Sequence, residues 1–152
     1  MSQIGVVIGS KSDQVLIQPM LELLEQLGIK YECSIISAHR NPEKTREFAL
    51  QAKNKGFELI IAVAGAAAHL PGVIASWTTL PVIGVPLPTS DLKGVDSLLS
   101  IVQMPAGVPV ACVGIGIPGA KNAALLASQI LGLKNKEIQS AFVKYKEKLA
   151  QS

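Results

Sequence analysis

The chain has 152 residues, of which 49% are hydrophobic and 16% are charged, and its formal net charge is +3. This length fits one α/β domain, residues 1–152, with enough apolar side chains for a sizeable core. The mild, scattered charge argues against a nucleic-acid partner, and no apolar run is long enough to predict a membrane span. Because so low a charged fraction leaves little to cover the surface, we expect a homo-oligomer.

Strands and helices alternate along the sequence. Short apolar runs predict strands at residues 4–8, 30–36, 59–64, 82–85 and 108–113, and amphipathic stretches predict helices at 15–27, 42–55, 70–79, 95–102, 119–131 and 136–150. This alternation predicts a three-layer α/β/α fold with a five-stranded parallel, flavodoxin-like sheet in the order 2-1-3-4-5. No strand follows the C-terminal helix at 136–150, so we expect its apolar face to pack on a neighbouring subunit.

The two cysteines and the N-terminus indicate the cellular compartment in which the protein is expected. Cys33 and Cys112 fall in predicted strands, so we expect two buried, unpaired thiols. The first residues enter a strand directly and carry no basic segment of the kind found in secretion signals. We therefore expect a cytoplasmic protein.

Polar residues follow the first predicted strand directly. In an open parallel sheet, ligands bind outside the carboxyl ends of the strands at the switch in strand order, here between strands one and three. Ser10 and Ser12 stand there before a helix, where hydroxyls and free backbone N–H groups favour phosphate. Asp13 would repel phosphate, so we expect it to face elsewhere, such as a ribose hydroxyl. Ser12 or Asp13 would equally suit a helix N-cap.

The loop after the second strand carries the candidate catalytic residue. Ser37, His39 and Arg40 precede the helix-start signal Asn41-Pro42. A guanidinium suits two-pronged phosphate binding, and an imidazole exchanges protons near neutral pH. An isolated histidine is more often a surface residue bonded to its own loop. The position at a strand's carboxyl end beside Arg40 favours a reactive His39.

Small residues dominate the loop after the third strand. Gly65, Ala66 and Leu70 are expected to line a dry pocket and to offer backbone N–H groups to a ligand. His69 fits a ligand contact and a structural role at the start of a helix equally well.

The sequence lacks the usual metal and cofactor motifs. It has no glycine-rich Lys-Ser/Thr phosphate loop, no zinc-type Cys/His spacing and no paired carboxylates, so we predict neither a metal nor a cofactor. The glycines from Gly114 to Gly119 do match a dinucleotide fingerprint. That fingerprint also needs a following strand with an acidic residue, and here the terminal helix follows. Tight packing between strand and helix explains these glycines adequately.

At these loops the chain resembles N5-carboxyaminoimidazole ribonucleotide mutase, the class I enzyme family of bacterial purine synthesis. The matching segments run in order over nearly the whole chain, at residues 9–13, 37–40, 67–72, 81–86, 94–105 and 119–126. Two positions depart from the family pattern. Ala66 stands where a second glycine is frequent, and Val73 replaces a common methionine.

The resemblance implies a decarboxylation and a recarboxylation at carbon 4 of an aminoimidazole ribonucleotide, without metal, ATP or biotin. It implies that His39 is the general acid/base and that the nucleotide is bound by Ser10, Ser12, Asp13, Ser37 and Arg40. It also implies a homo-octamer in which the terminal helix reaches a neighbouring subunit. Two alternatives are a class II carboxylase that uses carbon dioxide directly and a non-catalytic nucleotide-binding module. The form of the loop at 65–72 favours class I.

Overall fold

A computed structural model describes residues 3–152, which form one five-stranded parallel sheet in the order β2-β1-β3-β4-β5. The strands are β1 (Ile4–Ile8), β2 (Tyr31–Ile35), β3 (Leu59–Gly65), β4 (Val82–Leu87) and β5 (Ala111–Cys112). The helices are α1 (Gln14–Gln26), α2 (Pro42–Gln51), α3 (Leu70–Trp77), α4 (Val95–Val102), α5 (Gly116–Gly132) and α6 (Lys136–Ala150). The predicted fold class and strand order are confirmed.

Helices cover both faces of the sheet. On one face, the central strands pack against α1 and α5, with Leu24 and Ala124 fully buried. On the other face, they pack against α2, α3 and α4, with Phe48, Ile74 and Ile101 in the core. This double coverage is why β1, β3 and β4 consist almost entirely of apolar residues.

The two edge strands differ from the sequence-based expectation. Strand β5 is only two residues long, shorter than the predicted 108–113, and Pro109, two residues before it, has no N–H to give to a ladder. Strand β2 has one neighbour, and several of its side chains face solvent. The prediction of two buried thiols is therefore wrong, because Cys33 is exposed and Cys112 is half-buried on these edges. Both thiols are unpaired, as expected.

The helix boundaries follow local chemistry. Helix α2 begins at Pro42 as predicted, with the Asn41 side chain accepting the Lys44 N–H at 3.1 Å, but it ends at Gln51, four residues early. Helix α5 begins at Gly116, three residues before the predicted start. None of the helices within residues 3–152 has both the length and the hydrophobicity needed to cross a bilayer.

Helix α6 divides into two parts. Ile138 is buried in the core beside α5, and Tyr145 packs partly against the same cluster. Farther along, Val143 and Leu149 are exposed, Leu149 by 57%. The face of α6 that carries Ile138 and Tyr145 thus packs on the core of this chain, while Val143 and Leu149 project into solvent.

Candidate functional site

A cavity of about 510 Å³ lies at the carboxyl ends of β1, β2 and β3. This is the switch point of the sheet, because β2 lies on one side of β1 and β3 on the other. Its lining residues are Gly9, Ser10, Ser12, Asp13, Ser37, Ala38, His39, Arg40, Ala64, Gly65, Ala66, Ala67, Leu70 and Thr89. Nine of the ten residues predicted for the site are therefore brought together, and the exception is His69.

The loop after β1 presents two hydroxyls and a carboxylate. The hydroxyl oxygens of Ser10 and Ser12 lie 2.9 Å apart, so the two side chains form one polar corner. A short 3-10 turn, Lys11–Asp13, leads from this loop into α1. Neither Ser10 nor Asp13 makes a side-chain capping bond at these helix starts. The N-cap alternative thus has no hydrogen bond to support it at Asp13, and the side-chain hydrogen bond of Ser12 within residues 3–152 goes to Ser10, not to a helix N–H. All three residues line the cavity.

Asp13 is the most buried polar residue of the cavity lining. Its side chain is only 7% exposed although it carries a carboxyl group. Burial raises the pKa of the Asp13 carboxyl above its usual value, partly offset by a backbone hydrogen bond at Ser10. A carboxylate held in this position is costly unless a partner donates hydrogen bonds to it. A hydroxyl-bearing ligand in the cavity would supply such a donor.

The loop after β2 is folded tightly around Ser37. The Asn41 N–H donates to the Ser37 carbonyl at 2.8 Å, and the Arg40 N–H donates to the Ser37 hydroxyl at 3.3 Å. This turn holds the Ser37 hydroxyl and the Arg40 side chain at the cavity. Arg40 makes no ion pair with any residue from 3 to 152, so its guanidinium is free to bind an anion.

His39 contacts the loop after β3 instead of its own loop. Its Nε2 lies 2.7 Å from Nδ1 of His69, and the two rings meet edge to face with centroids 4.8 Å apart. The interpretation of His39 as a surface residue bonded to its own loop is therefore not supported. His39 lines the cavity, whereas His69 is exposed to solvent and is not among the lining residues.

The loop after β3 contains the tightest backbone of the site. Ala66 has a φ of +50°, a left-handed conformation that is unfavourable for residues with a Cβ. At Gly65, a Cβ would overlap the hydroxyl of Thr89, so only glycine fits between β3 and the loop after β4. The glycine frequent at the Ala66 position in the family would remove strain at this turn.

Thr89 was missed by the sequence analysis. It follows β4 in the segment Pro88-Thr89-Ser90, and that loop is held by the Ser90 hydroxyl donating to Asp96 at 2.6 Å. A signal was present, because the strand order places β4 next to β3 and so places a hydroxyl residue after β4 beside the loop after β3. Considering only the three loops nearest the switch point left this fourth loop out.

The glycine-rich turn after β5 is closed by packing. A Cβ at Gly119 would overlap the backbone of Gly114, and Gly114 and Gly116 both have positive φ values. These glycines let α5 sit directly against the end of the sheet, as predicted. Within the described residues 3–152, no three His, Cys, Asp or Glu side chains are grouped as metal ligands would be.

Comparison with known proteins identifies the family of the chain. Residues 3–152 match the family model of AIR carboxylase. The chain is 56% identical to N5-carboxyaminoimidazole ribonucleotide mutase of Saccharolobus solfataricus, over 97% of this chain and 92% of that protein. It is 54% identical to the mutase of Thermotoga maritima, over 98% of this chain and 86% of that protein. Its fold matches the crystal structure of Treponema denticola PurE with a TM-score of 0.88 and 29% identity, covering 99% of this chain and 93% of that one. The chain belongs to the AIR carboxylase family.

Proposed function

We propose that this protein converts N5-carboxyaminoimidazole ribonucleotide to 4-carboxy-5-aminoimidazole ribonucleotide in de novo purine biosynthesis. The observation that carries the proposal is the cavity at the switch point. It joins anion-binding groups, a buried carboxylate and one histidine in a single space of about 510 Å³. The identity of more than 50% to proteins named as this mutase supports the same assignment.

In this proposal, the nucleotide is held by the first two loops. The hydroxyls of Ser10, Ser12 and Ser37 and the guanidinium of Arg40 bind the phosphate, because these donors of the first two loops line the cavity and have no charged partner within residues 3–152. Asp13 accepts hydrogen bonds from the ribose, which compensates the cost of its burial. The carboxylate-bearing end of the substrate then lies against Gly65, Ala66 and Leu70.

The proton balance of the reaction explains why one histidine is sufficient. When the bond between the exocyclic nitrogen and the carboxyl carbon breaks, carbon dioxide leaves and the nitrogen gains a proton. Carbon 4 of the electron-rich ring then bonds to the carbon dioxide and loses a proton. If His39 gives the first proton and takes the second, it returns to its starting state in each turnover.

Leu70 and the small residues of the loop after β3 keep the carboxyl end of the site apolar. Leu70 is buried, while Ala66 and Ala67 are exposed in the single chain, so this chain alone does not seal the pocket that was expected to be dry. An apolar surface around the carboxylate favours its loss as neutral carbon dioxide. The side chains of Ala66, Ala67 and Leu70 also carry no group that would bind water beside the carbon dioxide.

The decisive experiment supplies N5-carboxyaminoimidazole ribonucleotide to the protein without ATP and follows the product carboxylated at carbon 4. We expect formation of this product at a rate far above the uncatalysed one. A parallel assay supplies aminoimidazole ribonucleotide with bicarbonate. Turnover in the second assay alone would identify a direct carboxylase, and turnover in neither would favour a non-catalytic module.

The assembly proposed for this protein is a homo-octamer in the cytoplasm, with helix 136–150 packing on a neighbouring subunit. The exposed apolar side chains Val143 and Leu149 on α6 support such a contact. The two unpaired cysteines suit a reducing compartment. Light scattering on the purified protein should give a mass of eight chains of 16.0 kDa each, and a mass of one chain would contradict this assembly.

A further inference from the structure

We propose that His69 is a positioning residue that sets the tautomer of His39 and frees its Nδ1 for the substrate. This inference rests on the proposed function, because it assigns a partner to the general acid/base. It starts from one contact. Nε2 of His39 lies 2.7 Å from Nδ1 of His69, which is hydrogen-bond distance between two ring nitrogens.

A hydrogen bond between two imidazole nitrogens needs a proton on one of them and a lone pair on the other. If His69 donated through Nδ1, His39 would have to keep Nε2 unprotonated, and the contact would break whenever His39 became an imidazolium. If His69 accepts through Nδ1, His39 carries a proton on Nε2 in both its neutral and its cationic form. Only the second arrangement survives a complete proton cycle at His39.

The second arrangement also assigns the nitrogen that reacts. With Nε2 of His39 committed to His69, the nitrogen that gains and loses the proton is Nδ1. In this arrangement His69 carries its own proton on Nε2. A hydrogen-bond acceptor behind a catalytic histidine has this orienting role in other enzymes, where it holds the tautomer and stabilises the imidazolium.

The backbone around both histidines is fixed well enough for such a role. His69 lies at the start of α3, where its N–H donates to the Ala67 carbonyl at 2.8 Å and its carbonyl accepts the Val73 N–H at 2.9 Å. His39 lies in the turn closed by the Asn41 N–H on the Ser37 carbonyl. His39 lines the cavity and His69 does not, so His69 can act on His39 without contacting the substrate.

The kinetic test compares His69→Leu with His69→Asn. Leucine removes the acceptor, whereas asparagine places an amide oxygen or nitrogen near the position of Nδ1. We expect His69→Leu to lower kcat by about 10- to 100-fold with little change in KM, as outer partners of catalytic groups commonly do. His69→Asn should recover most of this loss. Ser76→Ala, on the same helix and away from the cavity, is the matched control and should behave as the parent.

A spectroscopic test detects the hydrogen bond between His39 and His69 in the absence of substrate. The chain has only two histidines, so protein labelled with ¹⁵N in the imidazole rings gives two sets of signals, and His69→Leu leaves those of His39 alone. We expect a hydrogen-bonded Nε2–H signal of His39 in the parent and in His69→Asn, and its loss to solvent exchange in His69→Leu.

The outcomes distinguish a failure of the role proposed for His69 from a failure of the proposed function. Unchanged kcat in His69→Leu, a rise in KM alone, no rescue by asparagine, or no Nε2–H signal in the parent would each overturn the role of His69. A parent protein that shows the signal and does not interconvert the two ribonucleotides would keep the histidine pair and contradict the proposed function. If His69→Leu does not fold, the parent signal and the kinetics of His69→Asn still decide.

Discussion

Two regions at the carboxyl edge of the sheet are built from similar glycine-containing turns. Loops after β1, β2 and β3 surround an open cavity, with an almost fully buried carboxyl at Asp13 and a left-handed alanine at Ala66. The turn after β5 has no such space, because Gly119 packs directly on the backbone of Gly114. Position relative to the switch in strand order separates them. The first region keeps unfavourable features that a ligand can compensate, whereas the second is optimised for packing.

Replacing His39 by asparagine should produce the largest effect and confine it to the first region. Asparagine keeps polarity and approximate size but cannot exchange a proton near neutral pH. We expect turnover to fall by about 10²- to 10⁴-fold, while nucleotide binding, measured by calorimetry, stays near that of the parent. Turnover within threefold of the parent would show that another group moves the carbon-4 proton.

Alanine at Gly119 should affect stability in the second region. The new Cβ overlaps the backbone of Gly114, which cannot move without displacing the start of α5. We expect a loss of about 1–3 kcal/mol of stability, measured as a lower Tm at fixed protein concentration.

Gly9→Ala is the matched control for that substitution. Gly9 also lies in a turn between a strand and a helix, but its nearest neighbour to a new Cβ would be the Val63 carbonyl at 3.9 Å. The Tm of this variant should change little. If Gly9→Ala and Gly119→Ala lowered the Tm equally, the turn after β1 would be packed as tightly as the turn after β5. The difference between the two regions would then be contradicted.

Much of the fold and of the candidate site could be predicted from the sequence alone. Strand order followed from the alternation of apolar runs, and the switch point then selected Ser10, His39 and Arg40 correctly as neighbours. Two features were missed, and only the second lies beyond what the strand order indicates. Thr89 comes from a fourth loop, and the contact between His39 and His69 joins residues 30 positions apart with no local pattern. The exposure of Cys33 was also missed, although the predicted strand order already places β2 at the edge of the sheet.

In the first region, Asp13→Asn should weaken ribonucleotide binding and raise the stability of the folded protein. Burial raises the pKa of this carboxyl in the folded protein, so the folded state holds the proton more tightly than the unfolded state does. The contribution of this carboxyl to stability is therefore fully present below the unfolded pKa of about 3.9 and is lost as the pH rises through the raised folded pKa. At neutral pH the ionised carboxyl costs stability, and Asp13→Asn removes that cost.

We expect Asp13→Asn to have a higher Tm than the parent at pH 7, with the difference vanishing below about pH 4 where both side chains are neutral. The KM for the ribonucleotide should rise by about 5- to 10-fold, because a charged hydrogen-bond acceptor becomes a neutral one. A Tm difference that is independent of pH would show that the charge of Asp13 is not its cause. An unchanged KM would remove Asp13 from the ribose site.

Glycine at Ala66 should give the smallest effect and tests whether strain in the first region is stored in the backbone. A left-handed φ costs a residue with a Cβ about 1–2 kcal/mol, and glycine avoids this cost while adding about 0.4–1 kcal/mol of unfolded-state entropy. The net expectation is a gain of up to about 1 kcal/mol, seen as a Tm higher by about 2–4 °C. Ala67→Gly is the matched control, because Ala67 has no positive φ and should lose stability. If both glycines lower the Tm, the conformation at Ala66 is not strained, and its departure from the family's frequent glycine has no cost in this chain.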